Sequence, residues 1–529
     1  MKYSVAPLPD WAELDGTDRL QVARHYRIPV EGTDVLVVPH GRPGWLRFPA
    51  SVDALLDALD GTDVGSLMAW SGFADVADTV RALYDGGLLF IGGRTGLRAV
   101  PVTSDAAAAE PPTALLLKLT GACDMACSYC YDYDAQRWPG RMSSEIARQL
   151  ITECLQPGRR LTLMFHGGEP MLRFAQIREL VDFANSRAAA VGASVHFTIQ
   201  TNGLHFSPPV VEFLRTHRFS VGVSLDGPRE VHDRRRVDHS GHGTFERIAV
   251  SFRRFPDFMR NEVGYISVVG IASGPDELDA IWRFFRDLGV LTWKLLPADA
   301  EGRASGRPET PRFRRTFVDF LTARLEAVLG GALEPPYITN LVQLIEPFLT
   351  LERPNMCMKM PCGASNDLLV LDAVGAVRAC DCSYHPAFQL LPRGAALAAP
   401  GRALPIAGVV TPAEPEAGHA PDDRADLVAR SRATTSARAL RAREQWLLAE
   451  APCASCPWLH QCAGTCPARA LINNGSLFSI DDLECSTRLA LFPRILEDVS
   501  LPGSRLRQYH DLAKRRAGAA LAAAAAPPR

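Results

Sequence analysis

Ala114-Leu115-Leu116-Leu117-Lys118-Leu119-Thr120-Gly121-Ala122-Cys123-Asp124-Met125-Ala126-Cys127-Ser128-Tyr129-Cys130 carries an apolar strand pattern straight into three cysteines spaced C-x3-C-x2-C. Around this stretch, strand and helix patterns alternate. Strand patterns cover residues 114–119, 161–165, 195–200, 220–225, 263–269 and 291–296. Helical apolar spacing covers 144–155, 175–190, 208–216, 245–255 and 276–288. Six such β/α repeats predict a parallel sheet with helical crossovers, either a barrel or a doubly wound fold. In these folds chemistry collects at the carboxyl ends of strands, which is where the three cysteines follow the first strand.

The chain has 529 residues, 47% of them hydrophobic and 22% charged, which rules out a disordered chain. At roughly 100–200 residues per domain, two to four domains are expected. Residues 1–105 read as a small winged-helix-like module, with strands at 35–38 and 45–48, helices at 52–59 and 73–83, and a closing strand at 88–91. Residues 103–112 read as a linker, 113–335 as the α/β unit, and 350–490 as a cysteine-rich unit with little periodic structure. An Ala/Pro/Gly-rich surface insertion is expected at 395–421, a helix at 489–499, and over 491–529 a C-terminal helix and flexible basic tail, whose alanines at 517–526 read as a frayed helix or a disordered end. The net charge of −2 gives no reason to expect a nucleic-acid partner. No apolar window reaches the ~18 residues of a membrane span, and Met1–Asp10 does not read as a signal peptide. A cytoplasmic location is expected, with reduced thiols. There, 13 cysteines, an odd number, suggest metal ligation rather than a disulfide framework.

Three thiolates on one loop take three irons of a 4Fe-4S cube and leave one iron open to a further ligand. A zinc site with a remote fourth ligand is the competing reading. The second strand runs into His166-Gly167-Gly168-Glu169-Pro170, the third into Gln200-Thr201-Asn202-Gly203, and the fourth into Ser224-Leu225-Asp226-Gly227-Pro228. With the cysteines of Cys123, Cys127 and Cys130 one β/α unit ahead of that glycine turn, the chain resembles the radical S-adenosylmethionine enzymes. The resemblance implies a partial (β/α)6 barrel of TIM type. It places Tyr129 near the adenine and assigns Gly167, Gly168, Glu169 and Pro170 to a GGEP motif that holds the methionine amino group. Asn202, Ser224 and Arg236 become candidate contacts to the cofactor ribose or carboxylate.

Further on, Cys357 precedes Cys362-x12-Gly375-x4-Cys380, and Cys453-x2-Cys456-x5-Cys462-x3-Cys466-x18-Cys485 follows. This resembles the SPASM extension of radical enzymes, against a competing reading as zinc knuckles. Eight thiolates suffice for two closed clusters. The resemblance assigns Cys357, Cys362, Cys380 and Cys466 to one, and Cys453, Cys456, Cys462 and Cys485 to the other, for three 4Fe-4S clusters in all. Cys154 reads as a core residue. Cys382 stays open between an alternative ligand and a free thiol. Asp381 sits where anaerobic sulfatase-maturing enzymes keep a catalytic aspartate, which suggests a general base.

The chemistry so implied uses S-adenosyl-L-methionine, a 5′-deoxyadenosyl radical and an external reductant such as flavodoxin or ferredoxin. The expected substrate is a ribosomally made peptide or small protein. The N-terminal module looks like the peptide-recognition elements that bind a leader as an added strand. An intrapeptide crosslink such as a thioether is the expected product, with the maturation of a quinohemoprotein amine dehydrogenase subunit as a special case. Formylglycine formation in a sulfatase is the alternative chemistry. An iron–sulfur electron carrier or peptide chaperone is the non-enzymatic alternative.

Overall fold

Six parallel strands lie side by side in the order in which the chain makes them: Ala114–Lys118, Arg160–His166, Ser194–Thr201, Ser220–Ser224, Val263–Val269 and Thr292–Pro297. Each falls within a few residues of its sequence pattern. The computed structural model describes residues 2–523 apart from residues 31, 101–109, 136–138, 308, 352–354, 361 and 394–426. The expected insertion at 395–421 and most of the linker at 103–112 therefore lie outside the described residues. Helices Ser144–Cys154, Phe174–Val191, Pro208–Thr216, Phe245–Arg254, Pro275–Leu288 and Pro311–Leu329 follow the six strands. This is the parallel β/α architecture of a partial barrel.

Period-2 alternation sorts the strand side chains. Val263–Val269 is buried at every second position. The first strand is buried at all five positions. Leu115 and Leu117 join the main core with Ile146 and Ile151 of the following helix. Ala114 and Leu116 pack on the other face with Leu368 and Val370. The same alternation sets Lys118, only 1% exposed, on the face of Ala114 and Leu116.

The sheet does not stop at six strands. Tyr337–Ile338 adds in parallel beside Thr292–Pro297. Leu368–Leu371 adds in parallel beside the first strand, followed by antiparallel Val377–Arg378 and Gln389–Leu391. This corrects the expectation of little regular structure between Cys357 and Cys485. Helices Thr435–Ala449 and Pro467–Asn474 lie there as well. Leu368-Leu369-Val370-Leu371 is buried at all four positions, and a short strand buried on both faces has no alternation to betray it.

Near the N-terminus, His25–Pro29, Asp34–Pro39 and Leu46–Pro49 form a three-stranded antiparallel sheet. Helices Val52–Leu59, Val64–Met68 and Phe73–Asp85 follow, and Leu89–Ile91 pairs back onto Leu20–Val22. Strand His25–Pro29 went unread because it mixes polar and apolar residues at an edge. Val37 faces the module's own helices, packing with Leu56, Leu59 and Leu83. Leu36 and Val38 point the other way and join the main core.

At the C-terminal end, helix Asp482–Val499 begins before Cys485 rather than after it. The expected flexible tail is instead helical over Arg505–Ala523. Leu506, Tyr509 and Ala513 recur on one face and are buried. The Tyr509 hydroxyl accepts the Ile338 N–H at 2.6 Å. Among the described residues no helix is long and apolar enough to cross a membrane.

Candidate active site

The loop carrying Cys123, Cys127 and Cys130 is tied down from two sides. Ala126 and Ser128 donate their N–H groups to the carbonyls of Val237 (2.7 Å) and Arg235 (2.9 Å). The Arg303 N–H donates to the Cys130 carbonyl at 3.0 Å. The Arg236 guanidinium donates to Cys127 Sγ at 3.9 Å. Burial raises all three thiols above their usual range, with Cys130 pushed up to about 11. A bound metal is the ordinary means of deprotonating such buried thiols.

Against this loop lies the turn after the second strand. Gly167 has φ +82° and Gly168 has φ +49°, where side chains are strained. A Cβ on Gly168 would sit 2.1 Å from the Ala122 carbonyl oxygen, and one on Gly167 would sit 2.5 Å from Lys118 Cβ. The Glu169 N–H donates to the same Ala122 carbonyl at 2.9 Å. Pro170 then starts the single turn Pro170–Arg173.

Glu169 is buried, and its carboxylate faces the end of the third strand. It accepts from Thr201 Oγ1 (2.7 Å), Asn202 N (2.7 Å) and Met171 N (2.9 Å). Burial pushes this carboxyl up to about 7 against the pull of those donors. The Asn202 amide donates to Asp124 Oδ1 at 2.7 Å, tying the third strand to the cysteine loop. Ser224 accepts from the Gln200 amide at 2.9 Å. The Tyr129 hydroxyl donates to Asp226 Oδ2 at 2.6 Å, and Arg236 pairs with Asp226 Oδ1 at 3.1 Å. Arg236 also lies over the Tyr129 ring, 5.2 Å from its centroid. The expected cofactor contacts Glu169, Asn202 and Arg236 thus already have internal partners. Asp226, which organises Tyr129 and Arg236, had not been singled out in the sequence.

The Radical SAM superfamily model matches residues 117–287 of this chain. Residues 117–287 are a radical SAM domain. The chain is 27% identical over 179 residues to the cysteine-type anaerobic sulfatase-maturating enzyme of Clostridium novyi (strain NT), covering 32% of this chain and 47% of that one. It is 28% identical over 285 residues to the mycofactocin maturase MftC of Mycolicibacterium smegmatis, covering 53% of this chain and 67% of that one. The chain thus spans about half the length of the Clostridium relatives it matches (47% and 49%). The solved structure of native anSMEcpe with bound AdoMet has the same fold, with a TM-score of 0.57 at 18% identity over 73% of this chain and 98% of that one.

Within the radical SAM domain, Lys118 anchors a network that joins its loops to the later cysteines. Its ammonium reaches Asp132 Oδ1 at 2.7 Å and Asp381 Oδ1 at 2.8 Å. Tyr131 donates its hydroxyl to Asp381 Oδ2 at 2.8 Å, and Tyr384 donates to Asp132. Asp132 Oδ2 accepts the Gly168 N–H at 3.0 Å. Burial opposes ionisation of Asp381, yet Lys118 and Tyr131 hold its carboxyl well below the usual carboxylate range. Lys118, Asp132, Tyr131 and Tyr384 were not foreseen. The available signal was a lone lysine ending an otherwise apolar strand.

The later cysteines gather in two places. Cys453, Cys456, Cys462 and Cys485 line one pocket with Trp458, Leu459 and Arg488. Arg488 donates to Cys462 Sγ at 3.3 Å. Cys357, Cys362, Cys380 and Cys466 form the other group, close enough to oppose one another's ionisation, with Cys382 among them. The Cys466 N–H donates to Glu484 at 2.9 Å. Cys154 is buried in the core, as expected. Among the described residues no three His, Cys, Asp or Glu side chains converge as ligands of one metal ion. An iron–sulfur cube spreads its thiolates wider than a single ion does, and the sulfur-only donor sets fit such a cluster.

Proposed function

We propose that this chain is a radical SAM oxidoreductase that oxidatively modifies a ribosomally made peptide or protein, most specifically by forming an intrapeptide crosslink such as a thioether. The observation that carries the reading is the three-cysteine loop packed on the Gly167–Pro170 turn, with Asp381 and its neighbouring thiols at the same end of the sheet. With S-adenosylmethionine and a reduced 4Fe-4S cluster, the site would supply radical chemistry able to act on an unactivated carbon. Cys123, Cys127 and Cys130 would hold that cluster. The backbone of Gly167–Glu169 would receive the methionine end, and Tyr129 would line the adenine side.

An oxidation must also remove a proton and an electron from the substrate. Asp381, paired with Lys118 and with 18% of its side chain exposed, is the proposed general base. The two further cysteine groups, four ligands each, would hold closed clusters suited to electron exit. Between the three-stranded N-terminal sheet and the pocket of Cys453, Cys456, Cys462 and Cys485, contacts are direct. The Tyr26 hydroxyl donates to the Ser455 carbonyl, His40 Nε2 bonds the Ala454 carbonyl at 2.9 Å, and Gln461 donates to the Pro43 carbonyl at 2.8 Å. A leader peptide added as a strand to that module would deliver its core segment from a fixed position.

Anaerobic reconstitution followed by reduction tests the reading. About 12 irons per chain and reductive cleavage of S-adenosylmethionine are expected. Co-expression with short open reading frames beside the gene should yield a peptide lighter by two hydrogens per crosslink. Iron loading without cofactor cleavage would instead indicate an electron carrier. Asp381→Asn should spare cofactor cleavage and abolish the product, and an unchanged product yield would remove Asp381 from the mechanism.

A further inference from the structure

Five thiols, not four, gather at the group of Cys357, Cys362, Cys380 and Cys466. We propose that Cys382 is a reserve ligand of the iron–sulfur cluster held by Cys357, Cys362, Cys380 and Cys466, taking over the iron of Cys357 when that thiolate leaves. The inference rests on reading that group as a cluster cage.

Three observations carry it. The first is the C-x-C geometry. The Cys382 N–H donates to Cys380 Sγ at 3.5 Å, and the two thiols are close enough to shift each other's ionisation. Cys382 therefore lies beside Cys380, and unlike Cys154 it is only partly buried. The second is its company, because Cys357, Cys362 and Cys466 each have Cys382 as an electrostatic neighbour. The third is the contrast in anchoring. Cys362, Cys380, Cys382 and Cys466 all pack against the main core. Cys357 is the most exposed residue of the five, on the single turn Met356–Met358, whose cap is the Asn355 side chain. The loop beyond Cys382 is pinned instead, since Ser383 Oγ donates to Glu301 at 2.7 Å and the Tyr384 N–H donates to the same carboxylate at 3.3 Å. The residue of the five with the least core packing is thus one the resemblance counts as a ligand, and a better-packed one stands beside it.

The exchange is balanced. One iron–thiolate bond breaks as another forms, Cys382 gives up its thiol proton, and Cys357 takes one. No electron moves, and the cluster keeps four thiolates and its charge. The gain is a cage that survives exposure of one ligand to solvent.

The test uses the full chain, reconstituted anaerobically, with iron and acid-labile sulfide counted and the reduced protein examined by EPR. Cys357→Ala is expected to keep the wild-type iron count with an altered EPR signal. Cys382→Ala should keep both count and signal. The double variant should lose about four irons. Loss of about four irons from Cys357→Ala alone, or none from the double variant, would overturn the proposal. Alkylation of the native wild-type protein gives a second arm that needs no variant. Partial labelling of Cys357 without iron loss is expected, whereas labelling of Cys357 matched by loss of about four irons would overturn the proposal. A wild-type count near four irons would overturn the cage reading itself, and the reserve ligand with it.

Discussion

Lys118 shows how far one side chain can be committed. It is buried between Asp132 and Asp381, with the rings of Tyr384 and Tyr131 at 4.3 and 5.2 Å from its nitrogen. Removing one partner of such a group leaves uncompensated buried charge, which costs ~3–5 kcal/mol. Lys118→Met should therefore lower unfolding free energy by about that amount in denaturant titrations. Gly168→Ala is expected to be as damaging locally, because no rotamer moves a Cβ off the Ala122 carbonyl. It should displace the loop before Cys123 and cost about four irons, read from iron content. His232 supplies a pH dependence. Its Nδ1 accepts the Asp226 N–H and its Nε2 meets Thr244 Oγ1 at 3.0 Å. Burial, reinforced by Arg236, pushes it down to about 3. Below its unfolded pKa of ~6.5 the unfolded chain binds a proton that the fold refuses. This stability is present above ~6.5 and falls with pH, by ~2 kcal/mol at pH 5. Unfolding free energies of wild type and His232→Gln at pH 7 and pH 5 should differ by that slope.

At the level of elements, the six barrel strands were legible because each has a face to bury and a turn to end it. Leu368–Leu371 was not, since a strand buried on both faces looks like any apolar run between loops. In helix Arg505–Ala523 the arginines and alanines hide a narrow apolar stripe, so its sequence reads as a tail with at most a frayed helix at its end. Tyr509 carries that stripe, stacking edge-on against Tyr337 at 5.3 Å. Tyr509→Ala should cost ~3–5 kcal/mol as a large buried aromatic is removed, visible as a lowered unfolding midpoint.

For the molecule as a whole, the notable fact is where the N-terminal sheet sits. Leu36 and Val38 enter the main core, Trp45 Nε1 donates to the Phe348 carbonyl at 3.2 Å, and Tyr26 and His40 bond the carbonyls of Ser455 and Ala454. The module therefore covers the loop between Cys453 and Cys456. Replacing Tyr26 and His40 together by alanine should uncover that loop and hasten iron loss in air, measured as iron content against time, while leaving the anaerobic count unchanged.

The sequence by itself determined the order of strands and helices, the strand ends at which the cysteines and the glycine turn fall, and the spacing within each cysteine run. Those are local properties, set by side-chain period and by what a glycine alone can adopt. Only the tertiary structure decided which distant groups meet: Lys118 with Asp381, Tyr129 with Asp226, and Tyr26 with the cysteine loop at Ser455. Those pairings depend on how strands stack and loops cross, and no periodicity along one chain encodes the distance between its remote parts.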